Sequence, residues 1–265
     1  MRTFNMKSYW DTFKWMMFSN KRTLLSLFGG VMLGAAVIEE MVLATHGVSS
    51  GEDEDPFLLI TMLVFLTFSG CIWMMCGASR TFADTSKRHS AITLLMHPAT
   101  NLEKYLARLT YYTVLWFVIA LVGSVLGDML RWCFNALTGW HAGVPVLIMS
   151  ASSEVNRQLL YGVSAEEVFK AFCLIASTSF WAHSFYVLGS AFFRRNRFLL
   201  TSAALCILQV STGSFVPLLP GVSFFSDGVS WGMTIPTFML AALHYWLAYV
   251  LFTRMQVINN KWINV

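Results

Sequence analysis

Glu39 and Glu40 are neighbouring carboxylates close to the end of an apolar run. Acids inside a membrane span mark functional positions by default, because hydrocarbon disfavours them. A substrate or ion contact at an outer vestibule would use them, and so would activation of a metal-bound water. The bland alternative is that both side chains reach headgroup water at the end of the span. His183 and His244 lie in two later apolar runs. With Glu39 or Cys173 they make a formal metal-ligand set, yet no two of these four stand three or four residues apart. Ser179 precedes His183 by one helical turn, the spacing of a nucleophile and its base. No acid lies within a turn to orient the imidazole. Buried, hydrogen-bonded histidines and helix packing through a small Ser are the favoured accounts of these residues. No catalytic, cofactor-binding or metal-ligating residue is assigned, and Glu39, Glu40, His183 and His244 stand as polar residues of a possible substrate path.

Two motif tests narrow the chemistry further. No Gly is followed by Lys, so the phosphate-binding loop G-x-x-x-x-G-K-[ST] is missing, and with it ATP hydrolysis through that motif. Intramembrane prenyl-endopeptidase-like proteases carry Glu-Glu-x-x-x-Arg. Here Ala44 stands at the Arg position, and His183 follows Phe180 by three residues where those enzymes show four.

The elements that must position these residues are set by composition. Of 265 residues, 56% are hydrophobic and 12% charged, and the mean hydropathy is +0.60. Soluble domains carry about 25% charged residues. The expected class is an all-α integral membrane protein: an N-terminal interfacial amphipathic helix over 1–22, then a transmembrane domain over 23–265. Spans need about 20 apolar residues. Six are expected, at about 23–44, 57–78, 110–129, 168–193, 198–219 and 233–252. Residues 1–20 place Met6, Tyr9, Trp10, Phe13, Met16 and Met17 on one face, with Lys7, Asp11 and Lys14 towards the other, the pattern of a helix lying in the membrane surface. Five cations precede the first span with no clean small-residue cleavage site after it, so no cleaved signal is expected. The five cysteines mostly fall in apolar runs and suggest no disulfide framework. The net charge of +4 flanks spans and does not form a nucleic-acid patch.

Between the spans, residues 79–108 form a basic loop. Ser86 to Met96 reads as a short helix, broken by His97-Pro98. Thr100-Asn101-Leu102-Glu103 fits a capping box that opens a helix running on into the third span. Ser164-Ala165-Glu166-Glu167 fits a second one, before the fourth span. Residues 131–163 read as an outer loop with partly interfacial structure. Pro217, Pro220, Gly221 and Gly228 break an outer segment before the last span, suited to short half-helices dipping into the bilayer. Gly30-x-x-x-Gly34 and Gly123-x-x-x-Gly127 suggest close helix packing within the bundle or at a dimer face.

Cations orient the chain. Fifteen of eighteen fall in residues 1–22, 79–108, 194–197 and 254–265, and basic loops stay in the cytoplasm. Both termini are then cytoplasmic and the number of spans is even.

This arrangement resembles the membrane subunit of ABC-2 type transporters. Many bacterial permeases of that kind carry Leu-Pro-Ala-Ser-x-x-Glu-Lys-Phe entering the third span. The similar stretch here is His97-Pro98-Ala99-Thr100-Asn101-Leu102-Glu103-Lys104-Tyr105. Thr for Ser keeps the cap; His for Leu breaks the pattern. The resemblance implies a permease subunit of the bacterial inner membrane, working in export, paired as a homodimer or with a similar chain. It also implies a separate cytoplasmic ATPase, which uses the ATP and Mg and grips the loop between spans two and three. Asp84, Lys87, Arg88 and His89 would face that ATPase. Pro98, Thr100, Glu103 and Lys104 would complete the coupling element, with Glu103 and Lys104 bracing the loop against the interfacial helix. A non-transporting membrane protein with an assembly, immunity or sensor role, and an intramembrane hydrolase, are the rival expectations.

Overall fold

The computed structural model describes residues 4–46, 56–83, 92–94, 96–138, 164–215 and 231–254. Among them there is no strand, and nearly all are helical. Helix α1 (Met6–Ser19) is followed by α2 (Lys21–His46) and α3 (Pro56–Ser79). Helix α4 (Asn101–Thr110) passes through a π turn (Tyr111–Leu115) into α5 (Trp116–Thr138). Then come α6 (Ala165–Phe192), α7 (Arg197–Phe215) and α8 (Trp231–Arg254). Among the described residues four helices are long and apolar enough to cross a membrane: α2, the continuous α4–α5, α6 and α8, as a multi-pass membrane protein requires. Helices α3 and α7 lie where the second and fifth spans were expected.

Both expected caps are present. The Thr100 hydroxyl accepts the Glu103 N–H while the Glu103 carboxylate accepts the Thr100 N–H, and Ser164 and Glu167 do the same for α6. Each box satisfies amides that a helix start otherwise leaves bare. The chain bends at His97 to Ala99, as the Pro requires.

The chain divides into two compact units. The first comprises residues 1–16, 74–113 and 164–265. Its α6 packs against both α7 and α8, and α8 meets α4. An aromatic cluster fills its core: Phe82 stacks on Tyr105 and on Phe252, at 6.0 and 5.3 Å between ring centres. Gly189 on α6 is required by the approach of α7, because a Cβ there would lie 2.1 Å from the Thr201 hydroxyl oxygen. The α6–α7 turn is closed by Asn196 at φ 47°, the left-handed region Asn tolerates.

The second unit comprises residues 17–73 and 114–163. Its described core is the pair α2 and α5. A Cβ on Gly127 would stand 2.5 Å from the Met32 carbonyl oxygen, and one on Gly123 would stand 2.8 Å from a Val31 methyl. The α5 glycine pair therefore packs as expected. The α2 pair has no such contact within the unit: nothing described lies within 4 Å of a Cβ built on Gly30 or Gly34, which leaves a dimer face as its expected use. Helix α2 turns its Val31, Met32 and Ala35 side to α5 instead.

One expectation is corrected here. Residues 131–138 belong to α5 and not to an outer loop; a charge as deep as Arg131 is accommodated because acids meet it. On α1 the buried positions are Thr12 and Met16, while Trp10 is exposed. The stripe Ser8–Thr12–Met16 meets protein because its hydroxyls have partners in the first unit.

Candidate functional site

The junction of α1 with the start of α4 concentrates the polar contacts of the first unit. Glu103 sits in the first turn of α4, 2% exposed. Besides closing its own cap, its carboxylate accepts the Asn5 N–H at 2.8 Å and the Ser8 hydroxyl at 2.9 Å. Three donors thus converge on the two carboxylate oxygens, and the entry to α1 is tied to the entry of α4. About two turns further along α4, the Tyr9 hydroxyl donates to Thr110 Oγ1 at 2.8 Å.

His97 fixes the other side of α1. Its Nε2 lies 3.0 Å from Thr12 Oγ1, and Thr12 donates its own proton to the Ser8 carbonyl at 2.8 Å. The imidazole must then donate from Nε2, which sets its tautomer. Its ring stacks on Trp15, 5.3 Å between centres and 24° apart. Burial holds the imidazole below the usual His range, and the Lys104 charge adds to this against an opposing pull from Asp11. His97 thus has a local role, holding α1. Lys104 is buried, and Arg108 Nη1 donates to the Thr81 carbonyl at 3.1 Å, which joins α4 to the end of α3.

Of the residues assigned to the loop, Pro98, Thr100, Glu103 and Lys104 fall together in this junction. Asp84, Lys87, Arg88 and His89 lie outside the described residues.

The possible path residues separate into two sets. In the first unit, His183 Nδ1 meets the Tyr245 hydroxyl at 2.8 Å and Nε2 meets Thr113 Oγ1 at 3.3 Å. Thr113 belongs to the π turn, so the widened turn aims a hydroxyl at the imidazole. His244 Nδ1 lies 3.2 Å from Ser184 Oγ, whose proton goes to the Trp181 carbonyl. Both histidines are buried and hydrogen-bonded. Ser179 is exposed and does not pair with His183. Among the described residues no three His, Cys, Asp or Glu side chains are grouped to hold a metal.

In the second unit Glu39 does not reach water. It is fully buried, and Arg131 Nε donates to its Oε2 at 2.9 Å. Arg131 Nη2 donates to Asp128 Oδ1 at 3.0 Å, and Asn135 Nδ2 donates to Glu40 Oε2 at 3.2 Å. Asp128, Arg131 and Asn135 were missed as site residues. The signal was present, since Gly123, Gly127, Arg131 and Asn135 recur every fourth residue and share one helix face.

Comparison with family models, with curated proteins and with solved structures found no match for this chain.

Proposed function

We propose that this chain is the membrane-spanning subunit of an ABC-2 type transporter, moved by a separate ATPase and crossing the bacterial inner membrane six times with both ends inside. The observation that carries it is the Glu103 junction. One carboxylate caps the helix leading into the third span and holds the backbone and side chain of α1. The end of the basic loop, α1 and α4 are thereby a single rigid piece. A push on the loop reaches the helix without being lost in side-chain rearrangement, as a two-state rocking mechanism needs. The polar groups within the spans pair with one another, and few charges remain to line a path. That favours a bulky amphipathic or lipid-like cargo over a small ion.

The test is purification in mild detergent with a nucleotide-binding subunit. Reversal of Lys87 and Arg88 to Glu should abolish co-purification of the ATPase while membrane insertion stays intact. Unchanged co-purification would remove the coupling assignment. A chain that purifies with no ATPase at all would favour the non-transporting reading.

A further inference from the structure

We propose that the outward side of α1 binds anionic phospholipid headgroups, with Lys7 and Lys14 as the groups that meet the phosphates and Trp10 set between them.

The structure decides which part of α1 is available. Its Ser8, Thr12 and Met16 side is taken up by protein: Ser8 donates to Glu103, Thr12 meets His97, and Thr12 and Met16 are buried. The Tyr9 hydroxyl is used by Thr110. Met6, Lys7, Trp10 and Lys14 are left exposed. Residues 7, 10 and 14 follow one another at spacings of three and four, so they line up along one ridge of the helix. The two lysines stand two turns apart, about 10 Å at 1.5 Å per residue.

The charge on that ridge is open. Among the described residues neither Lys7 nor Lys14 is in an ion pair. Asp11 is the one acid of α1, and its charge acts on His97. Residues 1–22 carry five cations against that single acid. The surface that complements them is negative, and each Lys or Arg near an anionic membrane adds to its hold.

The neighbours of the lysines make the partner a lipid. Trp10 is 46% exposed and Met6 60%. The Trp10 ring meets Tyr9 and Phe13 edge-on, at 5.3 and 5.6 Å between centres. An indole, with an apolar body and one N–H, belongs at the level of the headgroups. Lysine stems beside it can lie along the acyl boundary and keep the ammonium among the phosphates. Chain connectivity brings the bilayer to this face, because only Asn20 separates α1 from α2, a helix long and apolar enough to cross. A soluble acidic protein would answer the lysines; a membrane surface answers the lysines and the apolar residues together.

Helix α1 is then held on two sides, by Glu103 and His97 on one and by headgroups on the other. A ligand that binds the ordered helix better than the loosened one stabilises the ordered form. None of this requires an ATPase, so it stands or falls apart from the transporter reading.

Hydrogen exchange of the whole chain tests it, in nanodiscs of phosphatidylcholine alone and of phosphatidylcholine mixed equally with phosphatidylglycerol. Exchange over Met6–Ser19 should be slower in the mixture, by about fivefold for each lysine engaged, and high salt should reverse most of the difference. Lys7→Gln combined with Lys14→Gln should abolish the difference between the two lipids. Lys7→Arg combined with Lys14→Arg should keep it. Trp10→Ala should speed exchange in both lipids. Exchange over Asn101–Thr110 serves as the folding control, since the lysines are exposed and their replacement leaves the Glu103 cap alone. Equal exchange in the two lipids, a difference that survives the double Gln variant, or no effect of Trp10→Ala would each overturn the proposal. So would the same protection given by inorganic phosphate with phosphatidylcholine alone, which would make this a free-anion site. Protection that appears only with a bound soluble protein would overturn it in favour of a protein contact.

Discussion

Glu103 shows what one residue can do at a helix start. Its spacing from Thr100 made the cap readable in the sequence, because a capping box is local. Its second task was only partly readable. That Glu103 and Lys104 brace the loop against α1 could be expected, but Asn5 and Ser8 lie more than ninety residues away in sequence, and no periodicity names such partners. The two tasks can be separated. Thr100→Ala should cost about 1 kcal/mol through the cap and leave α1 docked. Glu103→Ala should also strand the Asn5 amide and the Ser8 hydroxyl, each at about 1–3 kcal/mol where buried. Hydrogen exchange over Met6–Ser19 should accelerate in Glu103→Ala and not in Thr100→Ala; equal rates in the two would mean that α1 is held elsewhere. His97 adds a pH dependence of definite sign. Its imidazole is held below the ordinary range by burial and Lys104, so the docked state disfavours the protonated form. The stabilisation it gives is present above the ordinary His pKa and lost as pH falls through the lowered one. Acidification should speed exchange in α1, and His97→Gln should remove that component.

At the scale of the element, the helices were legible and their faces were not. Apolar length placed a helix at each expected span, and among the described residues four of these helices are long and apolar enough to cross a membrane, since burying backbone in lipid leaves the helix as the main solution. The π turn gave no signal, because Tyr111–Leu115 reads like any other apolar turn. The two glycine motifs looked alike in sequence, and only packing tells them apart: α5 uses its pair against α2, and α2 leaves its own pair open. Small-x-x-x-small spacing states that a close approach is possible; it does not say whether a neighbour takes it up. Gly127→Leu should therefore disrupt the α2–α5 pair and lower yield and thermal stability sharply. The same change at Gly34 should leave a monomer's stability near that of the unmodified protein. If Gly34→Leu instead changes the oligomeric state seen in mild detergent, its open face belongs to a contact between chains. The acids of α2 follow the same logic. Glu39 was expected at the headgroups because it stands near the far end of its span, and the partner that buries it came from the face that Gly123 and Gly127 bring close.

The scale of the whole molecule is where charge decides. The cations that cluster outside the spans argue for one sidedness, and Arg131, one of the exceptions, is paired with acids and carries no topological weight. Single cysteines in a background lacking the five native ones can test this with a membrane-impermeant thiol reagent. Met96 and Leu137 are suitable sites, since both side chains are about four-fifths exposed or more. Met96 precedes the helix from Asn101 to Thr138 and Leu137 lies in its last turn; that helix's 38 residues exceed what a bilayer needs. Arg195, in the basic turn between α6 and α7, gives a third site. An even number of spans with both ends inside requires Met96→Cys and Arg195→Cys to react only after the cytoplasmic face is opened, and Leu137→Cys to react in intact cells. Reaction of Met96→Cys from outside would put the Glu103 junction beyond the reach of any cytoplasmic ATPase, and the transporter proposal would fall with it. Reaction of Leu137→Cys from inside would leave the junction where it is but show that the helix does not cross, so a push on the loop would have no span to move.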